Sequence, residues 1–170
     1  MSSKFLNSFH HSLYVEKFIN NDFSKVWRII SDKSNLELFH PFCSKNKVYK
    51  WSGRKSIDEI EYLNGSTFKR VFYQWIDYKG YDLVINALGK PNSHVSWRIF
   101  NYFGSCKVRI TLHPYLFNKN YYYLNALPYF LMVKPLMENY LDSVLQGLKW
   151  YAETGQLVVN NQFGRHIWFS

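Results

Sequence analysis

The chain has 170 residues, 47% of them hydrophobic and 20% aromatic, with a formal net charge of +9. That length suits one domain with a core of its own. The 14 Tyr, 14 Phe and 6 Trp exclude a disordered tail, a coiled coil or a collagen-like fibre, and two cysteines are too few for a disulfide scaffold.

Residues 13–19 (LYVEKFI) alternate as a first strand. Asp22 is placed to N-cap a helix running to Asp32, with Phe23, Val26, Trp27, Ile29 and Ile30 on its apolar face. Ser34 and Glu37 have the spacing of a capping box for a second, shorter helix. His40-Pro41 ends it, because proline disfavours helix in the residue before it.

The middle of the chain is β-rich. Residues 47–51, 56–63, 66–77, 81–88, 94–102 and 106–117 carry β-branched and aromatic residues between turn signals such as Ser52-Gly53, Asn64-Gly65, Lys79-Gly80 and Gly104-Ser105. Connections this short make neighbouring strands antiparallel. Residues 106–112 alternate most cleanly, with Val108, Ile110 and Leu112 opposed to Lys107, Arg109 and Thr111, so one face is buried and the other wet. In residues 66–77 apolar and polar side chains mix on both faces, and the alternation does not choose between them.

The cover for this sheet comes from the C-terminal third. Pro135 fits the first position of a helix, Leu141, Val144, Leu145 and Leu148 follow at helical spacing, and Gly155 suits its end. Twenty helical residues span roughly 30 Å, enough to cross a sheet. The expected class is α+β: a curved antiparallel sheet of about seven strands around a long C-terminal helix, with two short helices after the first strand. Residues 13–155 form the core of a single domain spanning 1–170. The tail, 156–170, holds Phe163, Ile167, Trp168 and Phe169, and is expected to pack on the domain or on a second copy, so monomer and homodimer both stay open. Residues 118–134 crowd Tyr122, Tyr129, Phe130 and Met132 ahead of the long helix. They read as a short helix begun by Pro128, as a lid, or as an aromatic patch for peripheral membrane contact.

Three stretches resemble the START-like (SRPBCC) superfamily of helix-grip, birch-pollen-allergen-like proteins, nearest its polyketide cyclase/dehydrase and lipid-transport branch. They are FINNDFSKVWRIISDKSNLELFHPF (18–42), CKVRITLHPYL (106–116) and LDSVLQGLKWYAETG (141–155). The resemblance implies a cavity between sheet and helix that takes an apolar ligand, and its motifs speak for fold more than for chemistry.

The expected cavity lining is Val108, Ile110, Leu112, Val95, Trp97 and Ile99, with Tyr62, Tyr73 and Trp75 from earlier strands and Tyr140, Val144 and Leu148 from the helix. The same side chains could instead fill a solid core. Tyr62, Tyr73, Arg98 and His113 are candidate polar anchors, since a hydroxyl or guanidinium polarises a carbonyl or pairs with a carboxylate. Arg98 also shares a face with His94 and Ser96, which suits a solvated arginine, and His113 before Pro114 also reads as a loop histidine.

The six histidines show no HExxH or HxH spacing, and CxxC, GxSxG, P-loop and GxGxxG motifs are missing from the sequence. No catalytic residue, metal or cofactor is therefore expected. The scattered bases form no stripe for nucleic acid. The longest apolar stretch, around residues 127–133, is far short of the ~20 residues that cross a bilayer. The first twenty residues lack the apolar run of a secretory signal, and a cytoplasmic protein is expected. The leading expectation is a binding or carrier protein for a hydrophobic small molecule or lipid. The rivals are a polyketide cyclase/aromatase-like enzyme, moving protons through Tyr73, Arg98 or His113, and a membrane- or partner-docking module with a filled core.

Overall fold

The structure, a computed structural model, describes residues 9–118 and 122–170. β1 (Leu13–Ile19) leads into α1 (Phe23–Ser31) and α2 (Leu36–Phe39). Six strands follow: β2 (Cys43–Lys50), β3 (Ile57–Tyr62), β4 (Thr67–Ile76), β5 (Gly80–Ala87), β6 (Ser93–Tyr102) and β7 (Ser105–His113). The chain then enters α3 (Tyr122–Pro128), a π-helical segment (Tyr129–Val133) and α4 (Lys134–Thr154). The strands pair antiparallel in one seven-stranded sheet ordered β1-β7-β6-β5-β4-β3-β2, so the architecture is α+β with a long C-terminal helix on one face.

Local chemistry accounts for most of these boundaries. Asp22 sits in the extended region and accepts a 2.8 Å bond from the Ser24 backbone N–H, and α1 buries Val26, Trp27 and Ile30. The expected capping box at α2 does not form. Glu37 turns its carboxylate to the Asn46 N–H at 2.7 Å, tying α2 to β2. Asn35 meanwhile donates to the carbonyls of Ile29 and Ile30 at the end of α1. β2 starts at Cys43, directly after the Pro41 turn rather than at residue 47, and β7 stops at His113, before Pro114.

Two corrections concern the long helix and β4. Helical structure begins at Tyr122, well before Pro135, and Pro128 lies inside α3 instead of starting it. Pro135 lacks an N–H and its ring crowds the carbonyl four residues back, at Leu131; the wider π turn over Tyr129–Val133 relieves that crowding and lets the helix run on. In β4 the pairing jumps from Phe72↔Leu83 to Gln74↔Asp82, leaving Tyr73 as the extra residue of a β-bulge. The bulge breaks the two-residue period. Phe72 and Trp75 both face the helix side, and Tyr73 turns to the outer face.

The space between sheet and helix is filled at one end only. Trp27, Trp51, Phe72, Trp75 and Tyr81 interlock there with ring centroids 5.1–5.9 Å apart. Cys106, Val108, Leu145 and Leu148 are fully buried alongside. Gly147 brings α4 against α2: a β-carbon there would lie 2.0 Å from the Phe39 carbonyl oxygen. The tail returns to the body through backbone bonds from Val158 to the Leu38 carbonyl and from Asn161 to the Pro41 carbonyl.

Gly147→Ala is therefore expected to destabilise the protein by about 2 kcal/mol, because overpacking outweighs the gain in helix propensity. Urea unfolding of the two proteins measures it; an alanine variant as stable as the parent refutes the close-approach argument.

Candidate ligand cavity

At the other end of the same face the sheet and helix stand apart. They leave a half-open cavity of about 370 Å³, inside the about 300–1,000 Å³ range of small-molecule pockets. Most of its wall is apolar, from Leu83, Val95, Ile110, Leu112, Met137 and Val144 among others. The C-terminal tail closes one side. Trp168 and Phe169 line the cavity, and the Phe169 ring stacks on Tyr62 at 4.4 Å and on His166 at 5.1 Å. His166 fixes this turn by bonding the Leu136 carbonyl through Nε2 at 3.0 Å, while its Nδ1 accepts the Trp168 N–H.

The residues expected at the cavity divide by position along the face. Tyr62, Val95, Trp97, Ile110, Leu112, Tyr140 and Val144 line it. Trp75, Ile99, Val108 and Leu148 lie outside its lining, in the packed core. A two-residue period selects a face; it does not say which stretch of that face is filled. Tyr73, Arg98 and His113 are on the opposite, outer face, where they share a polar groove with Asp82 and His94. Arg98 pairs there with Asp82 at 2.7 Å, and Ser96 donates to the same carboxylate at 2.6 Å. Burial lowers the His113 pKa, and the Phe9 ring lies 5.8 Å from its imidazole.

The segment before α4 is also divided. Tyr129 is fully buried and stacks on His11 at 4.6 Å, so it belongs to the core instead of a lid or membrane patch. Phe130 and Met132 are half-exposed, and Val133 beside them lines the cavity. Tyr122 opens α3, and its side chain lies outside the described residues, as does Tyr121.

The polar groups at the cavity form two hydrogen-bonded sets, most of them unforeseen from sequence. His40 Nε2 is 2.9 Å from the Tyr140 hydroxyl, which is 2.8 Å from the Tyr62 hydroxyl. His40 Nδ1 accepts the Phe42 backbone N–H at 3.2 Å. Arg70 projects inward from β4 and forms a two-pronged ion pair with Asp58 of β3, through Nε at 2.8 Å and through Nη2. Asn46 donates to the same carboxylate at 3.0 Å. Asp58 and Arg70 sit at inward positions of strands whose other inward residues are Ile60, Tyr62, Phe68 and Phe72. A charged pair hidden in an apolar alternation was the one available sign.

Electrostatics hold these sets in a single protonation state. Burial, helped by the Arg70 charge, lowers the His40 pKa to about 3, so the ring is neutral. Burial raises both tyrosine hydroxyls above the usual phenol range. It also pushes the Cys43 thiol up to about 12, which removes it as a nucleophile despite the nearby His40. Among the described residues no group of three His, Cys, Asp or Glu is placed to hold a metal ion, and no helix is long and apolar enough to cross a membrane.

No family model and no curated protein matches the sequence. Solved structures do match it in shape. XoxI from Bacillus cereus is 14% identical, with 83% of this chain and 94% of that one aligned and a TM-score of 0.64. DynU16 from the dynemicin biosynthetic locus is 12% identical, with 86% and 48% aligned and a TM-score of 0.65. StfQ, a di-domain ARO/CYC of the steffimycin biosynthetic pathway, is 12% identical, with 84% and 45% aligned and a TM-score of 0.61. The chain spans about half the length of DynU16 and StfQ and nearly all of XoxI. The shared feature is the fold, a curved antiparallel sheet with a long C-terminal helix against one face.

Two outcomes follow from the buried polar sets. Asp58→Ala strands the Arg70 charge and is expected to cost about 3–5 kcal/mol in urea unfolding, whereas replacing both residues with leucine costs much less; equal losses would contradict the pairing. His40 is neutral when folded but binds a proton near pH 6.5 when unfolded. Stability should therefore fall as pH drops below 6.5, by about 1.4 kcal/mol per pH unit from this group, until about pH 3. His40→Gln should flatten the slope between pH 6.5 and 5 by about that amount; an unchanged slope contradicts the buried neutral imidazole.

Proposed function

We propose that residues 1–170 act as one binding or carrier domain for a hydrophobic small molecule or lipid, held in the cavity between the sheet and α4. The observation that carries this reading is a 370 Å³ apolar-walled cavity beside an otherwise tightly packed aromatic core. Protein interiors close up wherever geometry allows. A ligand burying about 400 Å² of apolar surface there gains roughly 10 kcal/mol before the costs of association, enough for micromolar binding without special chemistry. Phe130 and Met132, next to cavity-lining Val133, serve in this reading as the cover that moves when ligand enters.

A cyclase/aromatase activity of the kind StfQ is named for is the second reading. It needs a proton acceptor near the substrate. His40, the one histidine among the described residues that lines the cavity, is neutral but has Nδ1 committed to a backbone N–H and Nε2 to Tyr140. Arg98, Tyr73 and His113 are on the other face. Those positions support binding over turnover.

The test is titration with the neutral fluorophore N-phenyl-1-naphthylamine. We expect saturable one-to-one binding in the micromolar range, weakened about ten-fold or more by the cavity-filling Val144→Phe with the fold retained. Wild-type protein that does not bind the dye, or a filled variant that binds it equally well, would remove this reading.

A further inference from the structure

The hydrogen-bond count inside the cavity leaves a remainder. His40 accepts at Nδ1 and is neutral, so its proton is on Nε2 and is donated to the Tyr140 oxygen. The contact between Tyr140 and Tyr62 uses one of the two hydroxyl protons. The other has no acceptor among the described residues. If Tyr140 donates to Tyr62, the Tyr62 proton is left over; if Tyr62 donates, the Tyr140 proton is. Tyr62 is buried, Tyr140 is partly buried, and both residues line the cavity.

Arg70 adds to the same side of the count. Its Nε and Nη2 are committed to Asp58, while Nη1 makes no hydrogen bond among the described residues. Arg70 lines the same cavity as His40 and both tyrosines. Asp58 already balances its charge, so the wall carries donors without net charge. A buried donor left unmatched costs about 1–3 kcal/mol, and a buried uncompensated anion costs several times more.

Resting on the binding function proposed above, we infer that the ligand is a neutral, largely apolar molecule with a hydrogen-bond acceptor such as a ketone, quinone or ester carbonyl, received by the unspent hydroxyl proton of the Tyr62–Tyr140 pair. The apolar walls take the body of the molecule, and the acceptor end is drawn to the tyrosines under Phe169. A pure hydrocarbon leaves the donor unmatched. A carboxylate brings a charge that the Arg70–Asp58 pair does not cancel.

Competition against N-phenyl-1-naphthylamine with 9-fluorenone, fluorene and fluorene-9-carboxylate separates these classes. The three have similar ring bodies and differ at one position. Fluorenone is expected to bind about ten-fold more tightly than either of the others, the worth of one buried hydrogen bond. The carbonyl stretch of bound fluorenone should lie below its frequency in alkane solution. The double variant Tyr62→Phe/Tyr140→Phe should reduce the preference over fluorene at least about three-fold, the remaining share coming from His40 and Arg70 donors. Fluorene binding as tightly as fluorenone, or the carboxylate binding tightest, overturns the inference while leaving a hydrophobic cavity in place. Failure of all three and of the dye overturns both. Should the double variant not fold, the wild-type vibrational shift decides: a carbonyl frequency equal to that in alkane overturns the inference.

Discussion

The structure depends on where α4 comes down on the sheet. Gly147 allows the Phe39 carbonyl into the helix surface, and Leu145, Leu148 and Ala152 bury themselves around that contact. The helix is also held along β1 and by α1 and α2. The aromatic cluster around Trp75 and Tyr81 packs against Trp27 of α1. The other end, from Met137 to Val144, stands over the cavity, and Tyr140 reaches across it to the Tyr62 hydroxyl of β3. The cavity lies where the helix, held along β1 and against α1 and α2, stands off the rest of the sheet.

What lines that gap is shaped by the cost of burying charge. The Asp58–Arg70 pair is worth little compared with a well-packed apolar substitute. What it does achieve is to hold a guanidinium at the cavity wall without net charge. That charge and the lack of solvent keep His40 neutral, and a neutral His40 sets the direction of the hydrogen bonds that run through Tyr140 and Tyr62. The polarity of the site is thus decided by residues of β3, β4 and α4 together with His40 from the turn after α2.

The helix-grip fold is shared with proteins of different chemistry, and at 12–14% identity the likeness to XoxI, DynU16 and StfQ is one of shape. In this chain the C-terminal tail forms one side of the cavity. Phe169 and Trp168 form part of the wall, and the bonds of His166, Asn161 and Ser170 keep them there. The tail is therefore part of the site as well as of the body.

Local patterns determined the α+β class, the order of elements, the Asp22 cap and the wet and buried faces of β6 and β7, because each depends on neighbours two to four residues apart. Seven of the twelve residues expected at the cavity lie there for the same reason. The misplacements have three physical origins. A bulge at Tyr73 reverses the faces of β4, a π turn carries the helix through Pro135, and filling by distant aromatics buries Trp75, Ile99, Val108 and Leu148 in the packed end. The ion pair of Arg70 with Asp58, twelve residues away, and the contact of His40 with Tyr140, a hundred residues away, exist only once the sheet has curved around the helix. Periodicity reports which side of an element is buried. Which buried groups meet, and where room is left between them, is a property of the packed tertiary structure.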